Sequence, residues 1–296
     1  MHLISIDSLT DEQISILLDA ADLFAQRNRA GAGASDKLRG CTVMNLFYEN
    51  STRTAMSFAM AASRLGAVPL TLSVERSSVK KGETLEDTAR PLNAMRPDAL
   101  VMRHREDGAV QRVADLMNCP VLNAGDGTNE HPTQALLDAL TLRQHCGHLE
   151  GLIVAICGDI RHSRVARSNA KLLSRLGAVV RLAGPPGLLP DGHQGSGDIE
   201  EAVANADAVM MLRIQRERFD EELGDGPGEF LARYGLTTAR LALAAPHAVV
   251  MHPGPMNRGV EIADDVADLA ERSLILRQVE NGVAIRMACL DLLISA

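Results

Sequence analysis

Ser51-Thr52-Arg53-Thr54 packs three hydroxyls and a guanidinium between an apolar run and the start of a helical pattern. At a helix start the first main-chain N–H groups lack intrahelical partners and the dipole favours an anion, so these side chains would complete a phosphate cradle. The same tetrapeptide also suits an ordinary N-cap with Arg53 in solvent. Ser77-Ser78-Val79-Lys80-Lys81-Gly82-Glu83-Thr84 sets two lysines among small hydroxyl residues, as in a lid over an anion or a solvated basic loop. Arg103, in Met102-Arg103-His104, ends an apolar run, where the carboxyl end of a strand faces either a ligand crevice or open solvent. In His131-Pro132-Thr133-Gln134 the i, i+3 spacing puts an imidazole and an amide on one helix face, unless His131 only marks the helix start.

Further on, Gly158-Asp159-Ile160-Arg161-His162-Ser163-Arg164 follows a strand as a nucleotide-binding turn would, but it lacks the second and third glycines of GxGxxG. A dinucleotide site is therefore not expected. Arg213 and Gln215, two residues apart in Arg213-Ile214-Gln215-Arg216-Glu217-Arg218, offer a donor fork to a carboxylate or form a charged helix start. His252-Pro253-Gly254-Pro255 makes a stiff turn in which a cis X-Pro bond is plausible.

These residues need elements to hold them. A capping-box pattern at Thr10 and Gln13 opens a helix carrying Ile14, Leu17, Leu18, Ala21 and Phe24 at helical spacing. Strands are expected at 42–48, 68–72, 99–102 and 121–123, alternating with helices after Ser51 and from about Glu83. A helix over 131–145 leads into a second series, with strands at 152–157, 179–182, 208–212 and 248–251 and a helix over 163–176. This alternation predicts two α/β domains, each a mainly parallel sheet flanked by helices. Residues 184–197, rich in Gly and Pro, read as a loop, and the chain from about Asp268 reads as helical with a break at Asn281-Gly282.

A length of 296 residues suits two such domains. The net charge of −8 gives no global attraction for nucleic acid or anionic lipid, so an anion must be captured locally. The absence of Trp and the total of seven Phe and Tyr remove the stacking platform of a single-strand binder. No apolar run reaches the roughly 18–20 residues of a membrane span, and the opening MHLISIDSLTDEQ lacks the layout of an export signal, so a soluble, cytoplasmic protein is expected. Five scattered cysteines without a CxxC pair or a zinc-spaced His cluster predict reduced thiols and no metal.

Jointly, FYENSTRT, SSVKKGETLEDT, VMRH, HPTQALLD, GDIRHSR, MLRIQRER and HPGPMNRGVEI resemble the aspartate/ornithine carbamoyltransferase family, in family order from residue 47 to residue 262. The resemblance is to its aspartate-using members. The ornithine branch carries an Asp, an SMG segment and an HCLP turn where this chain has Arg213, Gln215 and His252-Pro253-Gly254-Pro255. The resemblance implies a carbamoyl phosphate domain over 1–134, completed by a C-terminal helix at about 277–296, and an aspartate domain over 135–276.

It further implies that Ser51, Thr52, Arg53, Thr54 and Arg103 hold the donor's phosphate, with Ser77 and Lys81 reaching in from a loop. Thr54, Arg103 and His131 would contact the carbamoyl oxygen, and Gln134 with carbonyls near Pro253 and Gly254 the carbamoyl nitrogen. Thr54, Arg103, His131 and Lys81 are the implied catalytic residues. Aspartate would meet Lys81, Arg164, Arg213, Gln215, Gly254 and Pro255, while Glu49 would hold a closed arrangement through Arg164 and Arg218. Phosphate leaves readily, so the resemblance implies no cofactor, no metal and no covalent nucleophile. It also implies a role in de novo pyrimidine biosynthesis and a homotrimer with shared sites. Regulatory or dihydroorotase-like partner chains occur in the family, and a catalytically silent scaffold is the remaining alternative. Aliphatic residues in Ser273-Leu274-Ile275-Leu276-Arg277-Gln278 stand where family aromatics are expected.

Overall fold

The computed structural model describes residues 1–73, 82–190, 192, 195–214 and 227–295. Ser77, Lys81, Gln215 and Arg218 lie outside them. Two compact units emerge, one of Met1–Leu140 with Glu280–Ala296 and the other of Thr141–Val279.

In the first unit, α1 (Asp11–Arg29) begins with the expected capping box: Thr10 Oγ1 accepts the Gln13 N–H and Gln13 Oε1 accepts the Thr10 N–H. Strands β1 (Thr42–Phe47), β2 (Val68–Ser73), β3 (Ala99–His104) and β4 (Val121–Asp126) are all parallel, in the order β2-β1-β3-β4. Parallel neighbours need crossovers, supplied by α2 (Thr52–Arg64), α3 (Leu85–Ala94) and α4 (Ala109–Ala114). Alternation puts Met44, Leu46, Leu100 and Met102 on one sheet face, packed with Leu92 of α3 and Val110 and Val113 of α4. α2 packs on β1 and β2 and buries Phe58, Ala61 and Ala62.

Two long helices cross the boundary between the units, α5 (Pro132–Cys146) and α11 (Ile275–Ile294). The larger part of α11 belongs to the first unit, tied there by Arg29–Glu280 and Lys37–Asp291 ion pairs and by the buried Ala284, Ile285, Ala288 and Leu290. The expected break at Asn281-Gly282 is absent, and the helix runs through it. Gly282 provides space: a Cβ there would lie 2.7 Å from Arg286 Nη1 and 3.3 Å from Leu137 Cδ2.

The second unit repeats the order, as β6-β5-β7-β8, with β5 (Ile153–Cys157), β6 (Val179–Ala183), β7 (Ala208–Met211) and β8 (Val249–Met251) parallel. Around it lie α6 (Arg164–Arg175), α7 (Ile199–Val203), α8 (Pro227–Tyr234), α9 (Thr238–Leu241) and α10 (Asp264–Ala267). Ala155, Val209, Met211 and Val250 form a core with Ile199, Ala202 and Val203 of α7 and Leu241 of α9. The chain after Asp268 is not helical throughout. Val250 N–H donates to the Arg272 carbonyl and Leu274 N–H to the Val250 carbonyl, so this stretch pairs with β8 before α11 begins. The segment read as a loop over 184–197 holds a 3-10 turn, Pro186–Leu188, and a bridge from Ser196 to Ala183.

All five cysteines are free, and burial pushes the Cys157 and Cys289 thiols up to about 12. Among the described residues no helix is long and apolar enough to cross a membrane, and no His/Cys/Asp/Glu group is placed to hold a metal.

Candidate active site

In the first sheet the strand order reverses at β1, so the connections leaving β1 and β3 diverge at their carboxyl ends and leave a crevice for a ligand. Phe47 pairs with Arg103 across these ends, and Tyr48 N–H donates to the Arg103 carbonyl at 2.9 Å. Four residues past β1, Ser51 occupies the N-cap of α2, but its hydroxyl caps no backbone N–H. It donates instead to Thr54 Oγ1 at 2.9 Å. The ordinary-cap reading of the tetrapeptide therefore fails for Ser51. No acidic side chain occupies the first turn, which keeps the positive end of the helix open to an anion. Thr54 is buried, whereas Thr52 and Arg53 are exposed.

Arg103 is held from two sides. Its Nη2 meets Glu49 Oε1 at 2.8 Å, and its Nη1 donates to the Ala124 carbonyl at 3.2 Å. Glu49, the expected partner of Arg164 and Arg218, is thus paired with Arg103 in this structure.

Next to β3, β4 runs on to Asp126, and the turn after it is fastened at its base. Asn123 Nδ2 donates to the Ile4 and Glu130 carbonyls, and Glu130 Oε2 accepts the Ile6 N–H at 2.8 Å. Pro132 at the first position of α5 has the fixed φ a helix start needs. His131 and Gln134 are both buried, one turn apart, with Gln134 N–H donating to the His131 carbonyl at 2.9 Å. The Gln134 side chain reaches along the helix to Asp138, Nε2 to Oδ1 at 3.0 Å.

The second unit places its basic residues at the corresponding reversal, between β5 and β7. Gly158, directly after β5, has φ +128, and a Cβ there would sit 2.7 Å from the Leu212 carbonyl oxygen, so the two strand ends approach as only glycine allows. Asp159 accepts from the His162 main chain and from its Nδ1, and Ser163 Oγ caps α6 by accepting the Ala166 N–H. That fixes half-buried Arg164 as the first residue of α6. Arg213, also half-buried, follows β7, whose Met211 pairs with Cys157.

Beyond β8, His252 organises the turn. Its main-chain N–H donates to Gln278 Oε1, and its Nδ1 accepts the Gly254 N–H at 2.8 Å. Nδ1 is therefore unprotonated, and Nε2 carries the proton donated to Glu261 Oε1 at 3.3 Å. Glu261 is fully buried and also accepts the Asn257 N–H. The Gly254-Pro255 bond in this turn is cis.

Residues 1–144 match the family described as aspartate/ornithine carbamoyltransferase, carbamoyl-P binding domain, and residues 150–293 match its Asp/Orn binding domain. The chain belongs to the aspartate/ornithine carbamoyltransferase family. It is 57% identical over 297 positions to the aspartate carbamoyltransferase catalytic subunit of Rhizorhabdus wittichii, covering 99% of this chain and 94% of that protein. The aspartate transcarbamoylase of Trypanosoma cruzi, solved with carbamoyl aspartate and phosphate, is similar at 32% identity and a TM-score of 0.85, over 98% of this chain and 94% of that one. The ornithine carbamoyltransferase of Pyrococcus furiosus is similar at 28% identity and a TM-score of 0.87, over 100% and 97%.

For a carbamoyltransferase, the fold gathers Glu49, Ser51, Thr54 and Arg103 at one reversal, with His131 and Gln134 after the next strand. It gathers Arg164, Arg213 and the turn of Pro253, Gly254 and Pro255 at the ends of β5, β7 and β8. Reading the sequence alone missed Asp138, Glu261 and Arg286. Asp138 had a signal, since Gln and Asp four apart on a helix face each other. So had Arg286, a lone charge in the apolar run Val283-Ala284-Ile285-Arg286-Met287-Ala288. Glu261 is separated from His252 by nine residues and shows its role only in three dimensions. Replacing Glu261 with Ala strips the acceptor from the His252 Nε2–H and the Asn257 N–H, and should cost about 1–3 kcal/mol. The thermal midpoint of the intact protein should fall accordingly; an unchanged midpoint would mean that Glu261 does not hold the turn.

Proposed function

We propose that the chain is an aspartate carbamoyltransferase, transferring the carbamoyl group of carbamoyl phosphate to the amine of L-aspartate to give N-carbamoyl-L-aspartate and phosphate. The observation that carries the reading is the open start of α2 beside Arg103 at the strand-order reversal, since it supplies N–H groups, hydroxyls and a guanidinium for a phosphate. The relatives named for aspartate add weight, one of them holding carbamoyl aspartate with phosphate.

Ser51, Thr52, Arg53 and Thr54 take the phosphate, with Ser77 and Lys81 as further contacts. Thr54, Arg103 and His131 direct donors at the carbamoyl oxygen, where negative charge grows as the amine attacks. Gln134 and the carbonyls near Pro253 and Gly254 take the carbamoyl N–H groups. Arg164 receives the α-carboxylate of aspartate and Arg213 with Gln215 its side-chain carboxylate, near Lys81, Gly254 and Pro255. The new C–N bond forms, the amine sheds a proton, and the C–O bond to phosphate breaks. Glu49 exchanges its present partner Arg103 for Arg164 and Arg218 as aspartate arrives. Arg103 is then released towards the donor. The pathway served is pyrimidine synthesis, in the cytoplasm.

The working form is a homotrimer whose sites are completed across subunits. Met56 and Met60, one turn apart on α2, and Val68 and Leu70, alternating on the edge strand β2, are large apolar residues about half exposed. An apolar patch on packed neighbouring elements supports coverage by another copy.

Side-by-side assays with aspartate and ornithine should show carbamoylation of aspartate; preference for ornithine, or trimers that neither bind nor turn over carbamoyl phosphate, would sink the assignment. Glu49→Gln should raise the KM for aspartate by about tenfold or more, the loss of one charge-assisted pair, while donor binding changes little. Equal losses for both substrates would count against the exchange. Lys81→Ala and Arg53→Ala proteins, each inactive alone, should regain activity after mixing and reassembly, because one interface can carry both intact halves. No recovery would argue for sites contained in single subunits.

A further inference from the structure

Asp138 is fully buried on α5, one turn beyond Gln134, and its Oδ1 receives the Gln134 Nε2–H at 3.0 Å. The two ends of a glutamine amide have the same shape, so only its partners decide which end points where. An ionised carboxylate accepts and never donates. It therefore tolerates only the Nε2 end, and the carbonyl oxygen of Gln134 is turned away from Asp138.

A buried cation supports the ionised state. Arg286 of α11 is 4% exposed, lies 4.9 Å above the Phe58 ring and donates from Nη1 to Ser57 Oγ at 2.7 Å. Burial lowers its pKa to about 10, while the Asp138 charge acts in the opposite direction, as an attracting anion does. Gly282 leaves the room in which this guanidinium lies. Phe58 and Ser57 belong to α2, so the charges that fix the amide rest against the helix whose first turn takes the phosphate.

We propose that Asp138 is a positioning residue that locks the Gln134 amide with its oxygen presented to the donor, so that the site selects an acyl phosphate bearing N–H groups over its methyl isostere. Carbamoyl and acetyl phosphate differ only in NH₂ against CH₃ at that point. A carbonyl fixed in place accepts an N–H from the first. Against a methyl it is left without a partner, which is how sites built around a substrate N–H reject an analogue without one. An amide free to turn over would answer the methyl no better, but would hold the N–H less firmly.

This inference rests on the carbamoyl phosphate reading, and turnover of carbamoyl phosphate with aspartate by the unaltered protein tests that reading separately. The test here is the ratio of the acetyl phosphate inhibition constant to the carbamoyl phosphate KM. Asp138→Asn, whose amide both donates and accepts, should lower that ratio by about fivefold, the scale of one hydrogen bond, chiefly through the carbamoyl phosphate KM. Asp138→Glu, which keeps a carboxylate, should retain more of the ratio than Asp138→Asn. In a Gln134→Ala background, Asp138→Asn should leave the ratio nearly unchanged. An unaltered ratio in the single variant, or an equal fall without Gln134, overturns the proposal and reduces Asp138 to a packing role. Neutron diffraction from the unaltered protein decides the point even if the variants do not fold: deuterium on the Gln134 amide must lie towards Asp138, and a carbonyl there overturns it.

Discussion

In a sheet where every strand runs the same way, a strand from which the chain first adds a neighbour on one side and then passes back to add the next on the other marks a reversal of winding. β1 and β5 are those strands, in sheets of the same order. Right-handed crossovers then send the flanking helices to opposite faces, and the turns at the carboxyl ends part. Whatever stands in those turns faces the gap, together with the positive ends of the following helices. The unpaired N–H groups of α2, the strand-end Arg103 and the helix-start Arg164 owe their placement to this one constraint. Packing of Met44, Leu46, Leu100 and Met102 in one core, and of Ala155, Val209 and Met211 in that of the other sheet, keeps the ends in register.

Concentrating positive groups in a chain of net charge −8 sets an electrostatic problem, because a partly buried guanidinium without a counter-charge loses hydration and gains nothing. Glu49 supplies that charge to Arg103 at 2.8 Å. The carboxylate stays partly exposed, so the pair is exchangeable. Arg286 faces the same problem deeper in the unit and meets it differently, with a ring face, a hydroxyl and the field of Asp138. One charge is met by a partly exposed carboxylate, the other by groups packed around a guanidinium that is itself buried.

Most of the framework was legible because its signals are periodic. The capping box at Thr10, strands β1 to β8 and the long helices α1, α2, α5 and α6 each show enough residues of one pattern to be recognised. α4, α7, α9 and α10 span between four and six residues, fewer than two helical turns, and no period can be read from so little. The stretch after Asp268 misled for a different reason: its apolar residues serve a pairing with β8 that depends on a strand some twenty residues earlier. Gly282 misled because a glycine needed for room and a glycine needed for a bend look alike in one dimension. In the site, charged residues at strand ends were legible by position, while Asp138 and Glu261, which act on other side chains, were not.

The acceptor is the part of the function on which the fold is silent. An ornithine enzyme and an aspartate enzyme share this fold about equally well, so the backbone carries no information about which amine is used. On the proposed reading, that information resides in the sign of charge at the end of β7. An ornithine side chain brings an ammonium, which a guanidinium repels, whereas a second carboxylate is drawn to the fork that Arg213 presents. On the same reading, donor recognition differs in kind, because a phosphate is met largely by main-chain N–H groups that any helix start provides. The donor is thus written into the fold, and the acceptor into a few side chains mounted on it.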